Sequence, residues 1–392
     1  MRHWVVPVLF SFVILLHLQE AWRRIVHRNP GDTAYTSLMT IDSKAYLDGA
    51  REMQSSGHLF FTRDTYHSVG MQVILGFGLR WFGERVVGYF KMLNFVLLAG
   101  TILLGGLLAA HVMREAFWGW GAAVLIASSQ SLLHYTAILQ YEVLVGSALL
   151  ALCALLGRRT PARYFLLGSL VALLSIIRVH FQLLLFFLLV WELAKERKFH
   201  PAHAAALVGF AWIALPWNAH YSWMLGEPFW FQGELSLQAH RFLSPASQGF
   251  NFPFPPVTPP SGLAFVLERP LDYLSLLGKR FLYLVGWLPG AWDVPSTATL
   301  ALRRILPGIE TDSWVHAASG LLSIAGWMTV RGTPFARSSL LVFGTLLLPH
   351  LVINSDFRFL IPCLPVLAIL QIAAVKKIVG RWEKKRRGEQ CY

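Results

Sequence analysis

Four ionisable residues stand at the edges of apolar runs, where charge is costly and therefore informative. They are Asp42 in "MTIDSKAYLDGAREMQSSGH", Glu142 in "HYTAILQYEVL", Arg178 in "LLSIIRVHFQ" and Arg358 in "INSDFRFLIPC". A carboxylate in such a place can accept a proton or share a hard cation with a second carboxylate. A guanidinium offers a rigid fork of donors that matches an anion such as phosphate by two parallel hydrogen bonds, which Lys cannot do. Plainer roles compete with these. An acid opening a helix caps free N–H groups and meets the positive end of the dipole. An arginine within a span can snorkel its head to the surface. The elements that carry the four residues decide between the readings.

Those elements are membrane helices. The chain has 392 residues, 55% of them hydrophobic and 14% charged, against about 25% charged in a typical soluble domain. Residues 92–110, 117–140 and 338–348 hold no Asp, Glu, Lys or Arg. A bilayer asks roughly 20 apolar residues of each crossing helix, so the fold class is an all-α polytopic membrane protein. Net charge is +13, but its placement excludes nucleic acid as the partner. The basic residues gather in short loops: Arg158, Arg159 and Arg163; Lys195, Arg197 and Lys198; Arg331 and Arg337; and the tail "KKIVGRWEKKRRGEQCY" at 376–392. That is the positive-inside pattern, which assigns these loops to the cytoplasm, and the tail is suited to anionic lipid headgroups. Cys153, Cys363 and Cys391 have neither metal nor disulfide spacing. The opening stretch "MRHWVVPVLFSFVILLHLQEAWRR" reads as an uncleaved first span, since no small-x-small cleavage site follows it.

Alternating sides from a cytoplasmic start gives about ten crossings in a single domain spanning 1–392. The expected spans are 4–19, 88–111, 117–135, 142–157, a two-span hairpin within 164–193, 204–224, 314–330, 338–353 and 358–375. Two outer loops remain, about 20–86 and 225–313. The second holds an interfacial amphipathic helix at 271–288, because a crossing there would break the parity set by the basic loops. Each arm of the hairpin has only about 14 residues, or ~21 Å at 1.5 Å per residue, against ~30 Å of hydrocarbon. Its tip, "RVH", is therefore expected at or below the outer surface, and an ionisable group at that depth marks a functional site. On this topology Asp42, Glu142, Arg178 and Arg358 share the outer face. His134 and His180 are candidates to line a cavity beside them. Asp356 is placed to pair with Arg358, while His200 and His203, in a cytoplasmic loop, do not read as a metal site.

In order along the chain, "DSKAYLDGAREMQSSG" with Asp42, Tyr46, Ala50 and Gly57, then "VILGFGLRWFG", "ILQYEVL", "LLSIIRV", "LPWNAHY" and "FRFLIPCLPVLAI" resemble the C-type (GT-C) polytopic glycosyltransferases. The dolichyl-phosphate-mannose-protein mannosyltransferase-like superfamily is the nearest group. The resemblance covers most of the chain, and Ser43 stands where many members have a second acid. It implies a sugar carried on a polyprenyl phosphate and presented on the outer face. Asp42 would act as general base on the acceptor, with inversion at the sugar. Glu142 would orient the acceptor or, with Asp42, hold a divalent cation such as Mg or Mn. Arg178 and Arg358 would grip the donor phosphate, and Tyr46, His134 and His180 would line the cavity. The implied partners are that donor, membrane lipids, and a glycan, lipid or protein acceptor; the implied location is a bacterial inner or plasma membrane rather than the ER membrane. The absence of a Gly-rich nucleotide-phosphate motif agrees with a lipid-borne donor. A transporter or flippase would favour repeated halves and midplane charges, and the chain shows no internal repeat. A membrane acyltransferase would need a histidine within a span, for which His134 is the candidate.

Overall fold

A computed structural model of the chain describes residues 2–26, 41–58, 61–62, 68–157, 159–231, 261–284, 311–352 and 357–387. Every regular element among them is helical. The chain opens with α1 (Arg2–Val26), followed by the shorter α2 (Ile41–Ser56) and α3 (Val69–Phe82). A 3-10 turn, Gly83–Arg85, leads from α3 into α4 (Val86–Met113). Next come α5 (Ala116–Ala127), α6 (Gln130–Thr136) and α7 (Glu142–Leu155). Helices α8 (Pro161–Ile177) and α9 (Gln182–Glu196) form a hairpin, turned by Arg178 and a 3-10 turn at Val179–Phe181. Then follow α10 (Pro201–Leu225), α11 (Leu263–Glu268), α12 (Pro270–Leu284), α13 (Thr311–Val330) and α14 (Pro334–Val352). A last 3-10 turn, Phe357–Cys363, precedes α15 (Leu364–Arg386).

Among the described residues Val5–Val26, Val69–Met113 and Leu360–Lys384 are long and apolar enough to cross a membrane, and α5 with α6 adds a fourth if the bent pair is one span. The protein is a multi-pass integral membrane protein. Some expectations need correction. The run at 117–135 is not one helix: α5 and α6 are bent by 57°, because Ser129 stops the first and caps the second by accepting the Leu132 N–H. Residues 69–82, assigned to the outer loop as too interrupted for a span, form α3, which is capped at Ser68 and buries Val69, Met71, Leu75 and Leu79. The basic tail is also no separate loop at first, since α15 runs on to Arg386.

The outward faces are apolar. Leu103, Leu107, Trp212 and Trp223 are exposed on α4 and α10, as lipid-facing side chains should be. Since lipid is as apolar as Leu, helices gain cohesion from close backbone approach instead. The tightest case joins α8 and α10. A β-carbon at Gly168 would lie 1.9 Å from the Ala206 carbonyl oxygen, and one at Gly209 2.1 Å from that of Phe165. The Ser169 hydroxyl then donates across the seam to the Gly209 carbonyl at 3.2 Å.

One end of the bundle collects the basic loops. Glu192 of α9, buried, accepts from the Tyr164 hydroxyl at 2.9 Å and pairs with Arg159 at 3.0 Å; Arg159 also pairs with Glu196. His203 is not a loop residue, as the sequence reading had it, but a fully buried residue in the first turn of α10. Its Nδ1 accepts the His200 backbone N–H at 3.1 Å. In the neutral ring the proton is therefore on Nε2, which donates to Glu192 at 2.8 Å. Lys376 of α15 donates to the Met113 carbonyl at 2.6 Å and to Glu115 at 2.5 Å, tying the last helix to the turn between α4 and α5. That bond holds the Glu115 carboxyl below its ordinary range.

Replacing Gly168 by Val should force α8 and α10 apart at a cost of about 1–3 kcal/mol, the range for an overpacked interior. The readout is a lower apparent melting temperature in detergent. Gly100→Ala, at an exposed glycine of α4 with open space around it, should leave that temperature unchanged or slightly higher.

Candidate functional site

The site is built at the other end of the bundle, on a piece of backbone that is not helical. Residues 137–141 leave helical geometry between α6 and α7, yet all of them are buried. Carbonyls freed at such depth need donors, because hydrocarbon supplies none. Asn94, buried on α4, donates to the Ile138 carbonyl at 3.3 Å. Ser43 of α2, fully buried, donates its hydroxyl to the Leu139 carbonyl at 2.8 Å. The serine that replaces a second acid is thus a docking residue. It fixes α2, and with it Asp42, on the strand of backbone that leads to Glu142.

Tyr141 and Glu142 follow at once. Glu142 is the first residue of α7 and only 1% exposed. The position before it, Tyr141, makes no side-chain capping bond. The Tyr141 ring lies 6.4 Å from the ring of Tyr46 on α2, with the Arg178 guanidinium 4.7 Å from its centroid on another side. Arg178 ends α8: its N–H closes the last turn on Leu174 at 2.8 Å, and its own backbone is extended. Its carbonyl then accepts the Phe181 N–H at 3.1 Å, which turns the chain into α9. The hairpin arms span 17 and 15 residues, about 25 and 22 Å at 1.5 Å per residue.

These elements line a small, partly open pocket formed by Tyr141, Glu142, Arg178, His180 and His350, with an apolar remainder from Val145, Phe181, Leu346 and Pro362. The His180 and His350 rings meet edge to face, 5.1 Å apart. Glu142, Arg178 and His180 therefore come together as the sequence reading expects. Tyr46 and Asp42 are not among the residues that line it: Tyr46 lies behind Tyr141, and Asp42 is half-buried at the start of α2, next to Ser43. His134 does not line this pocket: it sits on α6 beside Tyr135, at 5.5 Å between rings. Arg358 lies by its backbone in the 3-10 turn that also carries Pro362, and its side chain, like Asp356, is outside the described residues. Among the described residues no three of His, Cys, Asp and Glu are grouped to hold a metal ion.

Three contributors escaped the sequence reading. Tyr141 was hidden in plain sight beside Glu142. His350 could have been noticed as the single titratable residue ending the apolar run "LLVFGTLLLPHLV". Arg280 lies on α12, the helix expected at the interface, and is fully buried while Leu271, Leu274 and Phe281 face outward. It donates to the Leu351 carbonyl at 3.4 Å, next to His350, and burial pushes its guanidinium down to about 10, still charged at neutral pH.

No family model matches the chain, and neither does any curated protein. Among solved structures it is similar to ArnT from Cupriavidus metallidurans, crystallised bound to undecaprenyl phosphate, with a TM-score of 0.55 over 97% of this chain. The fold is ArnT-like. Identity between the two is only 16%, and the chain spans 62% of ArnT's length. The family resemblance seen in the motifs is thus borne out as a shared architecture. The pocket between α7, α8 and α14 is a feature of this chain's own residues.

Removing the Ser43 hydroxyl should orphan the buried Leu139 carbonyl and cost about 1–3 kcal/mol. Ser43→Ala should therefore lower the apparent melting temperature, whereas Lys44→Ala, on the exposed side of the same turn, should not.

Proposed function

We propose that this protein is a membrane glycosyltransferase that moves a sugar from a polyprenyl-phosphate donor to an acceptor on the outer face of the membrane, with inversion at the anomeric carbon. The observation that carries the reading is the joining of Glu142, Arg178 and two histidines in one pocket of a GT-C fold. ArnT, which shares that fold, was crystallised with undecaprenyl phosphate. In this mechanism Asp42 takes the proton from the acceptor hydroxyl while its oxygen attacks the anomeric carbon. The bond from that carbon to the phosphate oxygen breaks, and its electron pair leaves on the lipid phosphate. Arg178, with Arg358, stabilises the developing phosphate charge through paired hydrogen bonds, and Glu142 orients the acceptor. The acceptor class is a glycan, a lipid or a protein, and the sugar a hexose or a pentose.

The proposed topology has ten crossings in a bacterial inner or plasma membrane, with the basic loops inside. Helix directions support the sidedness: α7 starts at Glu142 and α8 ends next to Arg178, while their opposite ends flank the Arg159 loop. In a cysteine-free background, a cysteine at position 227 should label from outside and one at position 160 only from inside. Labelling of position 160 from outside would overturn the orientation and the site with it.

Activity is tested by incubating the purified protein with a panel of polyprenyl-phosphate sugars and following release of free polyprenyl phosphate by mass spectrometry. Asp42→Asn keeps the size and capping ability of the side chain, since Asn caps about as well as Asp, and removes the proton acceptor. Transfer should fall at least ~10²-fold, the lower range for a lost general base, at nearly unchanged melting temperature. Asp48→Asn, at an exposed residue near Arg51, should transfer normally. Full activity of Asp42→Asn would remove Asp42 from the chemistry.

A further inference from the structure

Arg178 is a long side chain at the turn of a hairpin, and such a side chain loses rotamer freedom when it grips a ligand. Something must hold the fork in place beforehand if the grip is to be strong. The Tyr141 ring, 4% exposed, lies under the guanidinium at 4.7 Å, inside the distance at which ring and cation attract, and the attraction grows as water is removed. The ring itself has little freedom. It is backed by Tyr46 of α2 at 6.4 Å, and its backbone is anchored on both sides. The preceding Leu139 carbonyl is held by Ser43 at 2.8 Å, and the Tyr141 carbonyl accepts the Val145 N–H of α7 at 2.8 Å. The Tyr141 hydroxyl is buried with no hydrogen-bond partner among the described residues. The geometry therefore uses the face of this residue rather than its oxygen.

We infer that Tyr141 is a positioning residue: its ring presets the Arg178 guanidinium for a lipid-borne phosphate and couples that grip to α2, the helix of Asp42. The inference rests on the proposed reading of Arg178 as a phosphate-binding residue. It goes beyond that reading in assigning the adjustment of the arginine to one aromatic ring. It also gives the two halves of the proposed reaction, proton removal and phosphate departure, a common mechanical support.

The test is a double-mutant cycle read by binding of undecaprenyl phosphate to the purified protein in detergent, with melting temperatures recorded alongside. Tyr141→Phe keeps the ring and should bind within about twofold of the unchanged protein. Tyr141→Leu and Tyr141→Met remove it and should each weaken binding by ~10-fold or more, the effect of losing a partly desolvated cation–ring contact. Two apolar replacements are used so that one misfolded variant does not decide the matter. Combined with Arg178→Ala, the Tyr141 replacements should add little further loss, because a ring that acts through the arginine has nothing left to position. Unchanged binding in the Leu and Met variants overturns the inference, as does a fully additive double variant. Equal losses in the Phe, Leu and Met variants overturn it in favour of the hydroxyl. If the unchanged protein binds no polyprenyl phosphate, the proposed function itself fails and takes this inference with it. Binding by the unchanged protein and by the Leu and Met variants alike sinks only the role of Tyr141.

Discussion

Between α6 and α7 the backbone leaves helical geometry over residues 137–141 while still buried in the bundle, and keeps only a few local bonds such as Gln140 N–H to the Ile138 carbonyl. In a membrane protein this is tolerated only where neighbouring side chains take over. Here the takeover is done by Asn94 from α4 and Ser43 from α2, each donating to one of two successive carbonyls. The short helix α2 already packs Tyr46, Leu47, Ala50 and Met53 into the bundle, and Ser43 adds a polar link to this stretch. With its serine docked, Tyr46 lies beside Tyr141, the residue before Glu142. The broken stretch is thus both a weakness in the helix and the joint on which the site is assembled.

The charged residues are divided between the two ends of the bundle, and the division has a physical logic. At the end bearing the basic loops the charges are saturated. Glu192 accepts from Tyr164 and His203 and pairs with Arg159, and Lys376 is spent on Glu115 and the Met113 carbonyl. Buried charges satisfied in this way hold helices together and do little else. At the opposite end the polar groups face a cavity instead. Glu142, Arg178, His180 and His350 converge there, and the Arg178 guanidinium lies against the face of the Tyr141 ring.

The rigid part of the molecule serves this arrangement. Helices α8 and α10 approach so closely at Gly168 and Gly209 that no side chain fits between them. The hairpin of α8 and α9 therefore stands on a fixed wall. A fixed α8 means a fixed Arg178, since that residue closes the last turn of the helix. Helix α12 closes the other flank, with Arg280 turned inward to the end of α14 beside His350, and Leu271, Leu274 and Phe281 turned outward. In water that helix would be inside out; against lipid its orientation is the favourable one.

How much of this was written in the chain alone depends on range. Long apolar runs, basic loops and the short "RVH" hairpin are local signals, because the bilayer acts on each segment separately. They were enough for the all-α membrane class, for a hairpin turning at Arg178, and for the gathering of Glu142, Arg178 and His180. The ordered motifs were enough for the GT-C architecture, although no single one is specific. The bend at Ser129 and the helix at 69–82 were missed for the opposite reason. An apolar run looks alike whether it is straight or broken, and a short helix shielded by neighbours needs no span-length signal. Tyr141, His350 and Arg280 could be recognised only in three dimensions, since nothing in their local sequence says what lies opposite them. The sequence by itself determined which segments leave water and which residue types stand at their ends, since transfer to lipid is set residue by residue. Only the tertiary structure decided which of those ends meet, because the ring of Tyr141 under Arg178 and the hydroxyl of Ser43 on Leu139 join residues 37 and 96 positions apart, and contacts at such separations exist only once the helices have packed.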